Sequence, residues 1–249
     1  MLNNNLRMYL KILRKVNAIN SQHRSISNLC IIDFILSKFS ILLTPIFLIL
    51  KFKPNVITIL NFILGVFSIY LINFKYEYLQ YAVLIFFLFM LFDHVDGSVA
   101  RYGKKTFFGK FIDALFDAII YGLFFISIAL YSFNLIENIH LLMFCLFSSA
   151  LLLIDVLTLD KFAALVRWSN DQNNKKFKPY IRKTKFFRFF ATLRDIIFIG
   201  TLSLIFTTEN LEYFKISLII IYLSMIISSL LNIVMHIFYA GDYLRFKKK

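Results

Sequence analysis

The sequence is poor in cysteine, and its few cysteines fit no cofactor motif. Cys30 and Cys145 are far apart in the chain. This spacing excludes a structural zinc motif and a redox-active pair, so we expect both thiols to lie in the core or to face a membrane.

No internal repeat is present. No secretory signal peptide is expected either, because roughly the first 25 residues are polar and basic.

Charged residues are also scarce, and acidic residues most of all. Only 17% of the 249 residues are charged, with 14 acidic side chains against 28 Lys and Arg and a net charge of +14. By contrast, 59% are hydrophobic and 18% aromatic, and the mean hydropathy is +0.73. Because a soluble globular protein is only about half apolar, the composition indicates an integral membrane protein.

Long apolar runs predict six transmembrane helices. Most runs are close to the roughly 20 residues that a bilayer requires. They cover residues 56–74, 79–99, 108–133, 139–159, 193–207 and 213–240. We therefore expect an all-α integral membrane fold, with a six-helix domain over residues 54–240, a cytoplasmic N-terminal segment over 1–53 and a basic cytoplasmic tail over 241–249.

A further apolar run, residues 31–50, is predicted to be an interfacial amphipathic helix that precedes the six spans. Four polar residues recur in it at helical spacing and form one stripe. They are Asp33, Ser37, Ser40 and Thr44. Such a helix is typical of the membrane surface, and Pro45 is expected to end it.

The basic residues predict the orientation. With six spans and both termini inside, 26 of the 28 Lys and Arg fall on one side, as expected for the cytoplasmic face. Only Lys75 and Lys215 fall outside. The net charge is therefore a one-sided membrane feature and not a sign of nucleic-acid binding. We expect an inner-membrane protein with both termini in the cytoplasm. The basic loop predicted over residues 160–194 suits anionic lipid or a phosphorylated substrate, but simple positive-inside anchoring explains it equally well.

Four aspartates within the apolar runs are the most informative residues. Asp93 and Asp96 end one predicted span, and Asp113 and Asp117 begin the next. Each pair occupies one helix face, and the short connection makes the two helices antiparallel neighbours. An unpaired Asp at the centre of a membrane helix costs roughly 2.5 to 3.5 kcal/mol, a cost that a bound cation would offset. Carboxylates in this number predict Mg²⁺ or Mn²⁺.

Small and basic residues surround these acids. Gly97 and Ala100 allow close approach of a helix or a ligand, and Gly109 is predicted to leave an open space that would admit a diphosphate. Arg101 is expected to pair with phosphate through its planar fork. Three lysines add positive charge nearby: Lys104, Lys105 and Lys110.

The pattern from Asp93 to Asp117, Asp-x-x-Asp-Gly-x-x-Ala-Arg followed by Gly-x-x-x-Asp-x-x-x-Asp, resembles the signature of CDP-alcohol phosphatidyltransferases. These are integral-membrane enzymes of phospholipid synthesis. Upstream, Pro54-Asn55-Val56-Ile57-Thr58 is similar to the Pro-Asn-x-Ile-Thr that opens their first span. The segment between Arg101 and Gly109 has seven residues, one fewer than usual, so we expect a shorter turn between two intact helices.

The resemblance implies transfer of a phosphatidyl or other substituted phosphate group from a CDP-linked donor to an alcohol, with release of CMP. CDP-diacylglycerol is the expected donor. The alternative is a soluble CDP-alcohol whose phospho-alcohol is transferred to a lipid. The resemblance also implies that Asp93, Asp96 and Asp113 are the principal metal ligands, and that Asp117 is the catalytic base and a possible ligand of a second metal. A homodimer embedded among membrane lipids is expected.

The same resemblance assigns the CDP donor to Gly97, Ala100, Arg101 and Gly109. Asn55 and Thr58 either border the cytidine pocket or cap the first span. The acceptor alcohol stays open.

Three other interpretations would also explain acids within membrane helices. Ion pairing with Arg101 and nearby lysines explains some of the charge but not the small residues at their signature positions. A cation-coupled transporter would have acids along a path through the membrane, whereas these four lie near one face. An inactive scaffold would have no reason to retain them. The enzyme is the preferred interpretation.

Overall fold

The structure is a computed structural model that describes residues 2–23, 30–74, 76–103, 106–172, 185–207 and 209–247. Within these residues the fold is all-helical, as the sequence predicts, and contains no strand. The helices are α1 (Leu2–His23), α2 (Ile31–Ile49), α3 (Pro54–Phe74), α4 (Leu79–Tyr102), α5 (Phe107–Ile136), α6 (Ile139–Gln172), α7 (Lys185–Thr207) and α8 (Leu211–Lys247). A short 3₁₀ helix, Tyr76–Tyr78, lies between α3 and α4.

Six of the described helices are long and apolar enough to cross a membrane, which confirms the predicted number. The segments are Ile31–Ile49, Pro54–Phe74, Leu79–Tyr102, Phe108–Ile136, Ile139–Leu159 and Leu211–Phe238. One of the six differs from the prediction. Helix α2, predicted to lie on the membrane surface, is long and apolar enough to span, whereas α7, predicted to span, is not. Arg194 and Asp195 restrict the apolar part of α7 to residues 196–207.

The chain divides into two compact units, Met1–Ile120 and Tyr121–Lys249. In unit 1, α3 and α4 form an antiparallel hairpin. Thr58, near the start of α3, bonds to Asp96, near the end of α4. Ser68, farther along α3, donates to the carbonyl of Ala82 at the beginning of α4, at 2.7 Å. The hairpin therefore brings the Pro-Asn-x-Ile-Thr segment beside the first pair of acids.

The start of α5 runs parallel to α3. A Cβ on Gly109 would meet the side chain of Asn55, and a Cβ on Gly65 would meet Ile120. The start of α3, the end of α4 and the start of α5 thus share one end of unit 1, marked by Asn55, Arg101 and Gly109, which we call the motif end. Thr106 caps α5 by accepting from the Gly109 N–H at 3.0 Å, and the two helices on either side of the connection end at Tyr102 and begin at Phe107.

Helix α2 crosses α4 and does not run alongside it. Asp33 near its start lies 3.8 Å from His94, measured between Oδ1 and Nε2. Phe47 near its end packs edge-on against Phe92, with ring centroids 5.6 Å apart. The two α2 residues are separated by about 21 Å along the helix, yet their partners are only two positions apart on α4. This geometry favours the predicted position along the membrane surface, although the helix is also long enough to span.

The polar stripe of α2 faces the protein. Its four members are buried: Asp33, Ser37, Ser40 and Thr44. The opposite side is exposed and apolar, with Ile31, Ile35, Phe39, Leu42 and Ile46. The prediction that Pro45 ends this helix is wrong, because α2 continues to Ile49. Proline removes only one backbone N–H donor from the helix. The backbone hydrogen bonds of the turns before and after it hold the helix together.

Helix α1, which the sequence analysis did not identify, packs on α2 and α4. Val16 is buried, and the Tyr9 hydroxyl donates to the Leu42 carbonyl of α2 at 2.9 Å. The Lys15 ammonium lies 4.8 Å from the centre of the Tyr102 ring of α4. Other basic side chains of α1 are exposed, namely Arg7, Lys11 and Arg14. The helix is therefore amphipathic, with one side packed on unit 1 and a cationic side exposed.

Unit 2 packs the rest of α5 with α6, α7 and α8. The Tyr222 hydroxyl of α8 donates to the Phe125 carbonyl of α5 at 2.6 Å. Asn232 of α8 donates to the Asp155 carboxylate of α6 at 2.7 Å, so this buried acid has a neutral partner. Cys145 is buried in this unit, as expected of a core cysteine.

Two helices extend into the polar loop predicted over residues 160–194. Helix α6 continues to Gln172 and α7 begins at Lys185, while residues 173–184 lie outside the described residues. Lys, Arg and Gln are good helix formers, and hydropathy alone does not detect a helix that continues beyond the apolar run. For the same reason α8 continues to Lys247 through most of the predicted basic tail.

Candidate functional site

Three carboxylates from two helices converge near the motif end of unit 1. One oxygen each from Asp93, Asp113 and Asp117 lies within 4.8 Å of the other two. The i, i+4 spacing on α5 places Asp113 and Asp117 on one face, and Asp93 of α4 lies opposite them. All three side chains are half-buried. We call these residues the carboxylate cluster.

The donor set of the carboxylate cluster fits a hard divalent cation. Two oxygens on opposite sides of Mg²⁺, each about 2.1 Å away, are about 4.2 Å apart. Of three such ligands at most one pair can lie on opposite sides, and neighbouring oxygens around an octahedral Mg²⁺ are about 3.0 Å apart. The separations of up to 4.8 Å in the cluster therefore require the side chains to close on the ion. Three like charges so close together repel one another, and a cation with oxygen preference would relieve that repulsion. The cluster contains no thiolate or imidazole, so it does not favour a softer metal.

Asp96 lies outside the carboxylate cluster and is held by another helix. It is 5% exposed, and one of its carboxylate oxygens accepts a hydrogen bond from the Thr58 hydroxyl of α3. Thr58 Oγ1 also lies 3.2 Å from the Pro54 carbonyl. The charge of Asp96 still interacts with that of Asp113. Thr58 therefore orients a signature acid, a role that the sequence left open between pocket lining and helix capping.

Asn61 is a residue of this region that sequence reasoning missed. It lies three positions after Thr58 on the buried face of α3 and is 3% exposed. Its side-chain oxygen has no hydrogen-bond partner among the described residues. Phe62 stacks on Phe116 of α5, with centroids 4.1 Å apart, so this part of α3 is level with Asp117. A buried polar atom without a partner is rare and marks this level of the helices as suited to a polar ligand.

Arg101 is held at the motif end by two side-chain hydrogen bonds and lies over a glycine. Its Nε donates to Asn20 Oδ1 at 2.7 Å, and its Nη2 donates to Ser98 Oγ at 3.0 Å. A Cβ on Gly97 would lie 3.3 Å from Arg101 Nη1, so the guanidinium lies over this glycine. Gly97 thereby makes room for Arg101, whereas the family resemblance implied that this space holds the nucleotide. The charge of Arg101 also acts on Asp96.

The space beside Gly109 is occupied, not open as the sequence predicted. A Cβ there would lie 2.8 Å from Asn55 Oδ1 and 2.8 Å from Thr106 Oγ1. The glycine therefore allows α3 and α5 to approach each other at the motif end, and it brings Asn55 to the site. Asn55 is exposed there. Ala100, the remaining small residue, is half-buried on α4.

The other charged residues are distributed around the carboxylate cluster. Lys110 is exposed, and its charge acts on Asp113. Lys104 and Lys105 lie outside the described residues. His94 faces Asp33 of α2 and does not join the cluster, which agrees with its position about 100° around the helix from Asp93.

Comparison with known families agrees with this geometry. The family model described as CDP-alcohol phosphatidyltransferase matches residues 51–238. The chain belongs to this family. A search of curated proteins found no match.

The family match begins just before α3 and ends within α8, so α1 and α2 lie outside it. Membership supports an enzyme that transfers a substituted phosphate group from a CDP-alcohol, and it disfavours the transporter and the inactive scaffold. Enzymes of this family generally use a divalent metal, and the carboxylate cluster offers suitable ligands for one.

Proposed function

We propose that the protein transfers a phosphatidyl group from CDP-diacylglycerol to an alcohol and releases CMP, in a reaction that depends on Mg²⁺ or Mn²⁺. The observation that carries this proposal is the convergence of Asp93, Asp113 and Asp117 to within 4.8 Å inside the region that the family model matches. Neither a path of acids through the membrane nor ion pairing alone would require this arrangement.

The aspartates have two roles in the proposed reaction. Asp93 and Asp113 of the carboxylate cluster would hold the cation together with Asp96, which lies outside the cluster and is oriented by the hydrogen bond from Thr58. Asp117, the third member of the cluster, would serve as the base and as a ligand of a second metal. When bound, the cation neutralises the diphosphate and the charge that develops on the leaving CMP. Asp117 takes the proton from the acceptor hydroxyl as that oxygen attacks the phosphorus of the phosphatidyl group. The bond between this phosphorus and the oxygen of CMP breaks, and CMP leaves with the bonding electron pair.

The residues of the motif end bind the donor. Arg101 pairs with the diphosphate, since a guanidinium presents its N–H groups in a fixed plane that matches phosphate oxygens. Gly97 makes room for that guanidinium. Asn55, brought to the site beside Gly109, offers an amide to the cytidine. Thr58 acts on the site indirectly, by orienting Asp96. The small side chain of Ala100 leaves space for the nucleotide beside α4.

The membrane orientation and the acceptor are further parts of the proposal. The one-sided distribution of 26 of the 28 basic residues supports a cytoplasmic active site in an inner membrane. The basic residues around the motif end favour an anionic donor. The basic loop predicted over residues 160–194 favours a phosphorylated or anionic acceptor.

Replacement of Asp117 tests the assignment of the base. Asp117→Asn keeps the size of the side chain but cannot accept the proton, so CMP release should fall by at least about 100-fold. Binding of CDP, measured as thermal stabilisation in detergent, should persist. Glu209→Gln, at an exposed loop position, is the matched control and should retain full activity. Full activity in Asp117→Asn would disprove the assignment.

A further inference from the structure

We infer that Asn20 of α1 is a positioning residue for Arg101, so that a helix outside the matched family region completes the donor site. The inference rests on the proposed function, in which Arg101 pairs with the donor diphosphate. It concerns a contact between residues 81 positions apart in the chain, one of which lies outside the matched range 51–238.

Asn20 is built into the packed side of α1. It is 4% exposed, and Val16, one turn earlier, is 1% exposed. Its Oδ1 accepts from Arg101 Nε at 2.7 Å, and its Nδ2 donates to Ser98 Oγ at 3.2 Å. Because arginine can only donate, the amide oxygen has to face Arg101. The orientation of the amide is therefore fixed by the chemistry of its neighbours.

Ser98 connects the same two residues from α4. It is 2% exposed, and its hydroxyl donates to the His94 carbonyl at 2.9 Å. The oxygen accepts from Asn20 Nδ2 and from Arg101 Nη2. A serine hydroxyl has one proton and two lone pairs, so all of its capacity is used. Asn20 and Ser98 together hold the Nε–Nη2 edge of the guanidinium.

This arrangement fixes the direction of a flexible side chain. Arginine loses rotamer freedom when it binds a phosphate, and a side chain that is already held in place loses less. Loss of Asn20 should therefore weaken donor binding, while the carboxylate cluster and the chemical step stay intact. If Asn20 served only to pack α1 against unit 1, its loss would instead lower stability or activity equally with and without Arg101.

The experiment is a double-mutant cycle on CMP release by the full-length protein in detergent, with CDP-diacylglycerol varied at saturating acceptor. Asn20→Ala should raise the KM for the donor about tenfold and leave kcat within about twofold of the wild type. In an Arg101→Ala background the same change should have little further effect, because the two residues act as one unit. Asn17→Ala, at an exposed position of the same helix, is the matched control and should match the wild type.

A second variant separates positioning from folding. Asn20→Leu keeps the approximate volume of the side chain without its hydrogen bonds, and it should raise the donor KM as Asn20→Ala does. An unchanged or lowered donor KM in Asn20→Ala, or an equal loss with and without Arg101, would overturn the inference. A wild-type protein that releases no CMP from any CDP donor would contradict the proposed function itself, so the two failures are distinguishable.

Discussion

At the residue scale, the site depends on polar contacts between helices that are distant in the sequence. The i, i+3 and i, i+4 spacings predict which aspartates share a helix face, and the structure brings Asp93, Asp113 and Asp117 together accordingly. The contact of Thr58 with Asp96 spans 38 positions. Helix periodicity reports only which residues share a face, so it could not predict this partner or that of Arg101.

Thr58 provides the sharpest test at this scale. Thr58→Val is nearly isosteric but removes the hydrogen bond to Asp96, so the carboxylate is no longer oriented. Loss of such a partner to a metal ligand lowers metal affinity about 10- to 100-fold. We therefore expect the Mn²⁺ concentration for half-maximal CMP release to rise by about that factor.

The controls for this prediction use two other hydroxyl changes. Thr58→Ser keeps the hydroxyl and should retain near wild-type metal dependence. Thr201→Val removes a buried hydroxyl that donates to the Ile197 carbonyl within α7, and it should leave the metal dependence unchanged. Equal metal dependence in Thr58→Val and the wild type would contradict the role of Thr58 in orienting a metal ligand.

At the scale of the helices, hydropathy predicts the apolar segments better than their ends. It finds α3, α4, α5 and α8, because their apolar runs are as long as a bilayer is thick. It misses α1, whose apolar residues are too few to form a run, and it misses the charged extensions of α6 and α7. The crossing of α4 by α2 follows from tertiary contacts, which a one-dimensional pattern does not contain.

The position of α2 leads to a prediction about topology. If α2 lies along the surface, α1 and the motif end share one side of the membrane. In a background without Cys30 and Cys145, single cysteines at Asn17 and Lys104 should be protected from a membrane-impermeant reagent applied outside. Cysteines at Glu77, Glu137 and Glu209 should be labelled.

Labelling of Asn17 from outside, with Lys104 protected, would mean that α2 spans in addition to the six spans that the sequence predicts over residues 54–240. That result would also be incompatible with the contact of Asn20 with Arg101. Permeabilised cells provide the control that every cysteine can react.

At the scale of the whole molecule, the signature and the fold point to the same activity. The family match covers residues 51–238, and the sequence predicts six spans within its predicted 54–240 domain. The helices that precede the match pack on the motif end in unit 1. The homodimer and the identity of the acceptor alcohol stay predictions.

The most direct test is metal-dependent release of CMP by the purified protein. Labelled CDP-diacylglycerol is supplied with a panel of acceptors, including glycerol 3-phosphate, inositol phosphate, serine and polyols, and a parallel arm supplies a soluble CDP-alcohol with a lipid acceptor. We predict CMP release from CDP-diacylglycerol with at least one acceptor, complete inhibition by EDTA and recovery with Mg²⁺ or Mn²⁺. Release only in the parallel arm would reverse the assignment of donor and acceptor. Undiminished CMP release under metal-free conditions, or none from any CDP donor, would contradict the account.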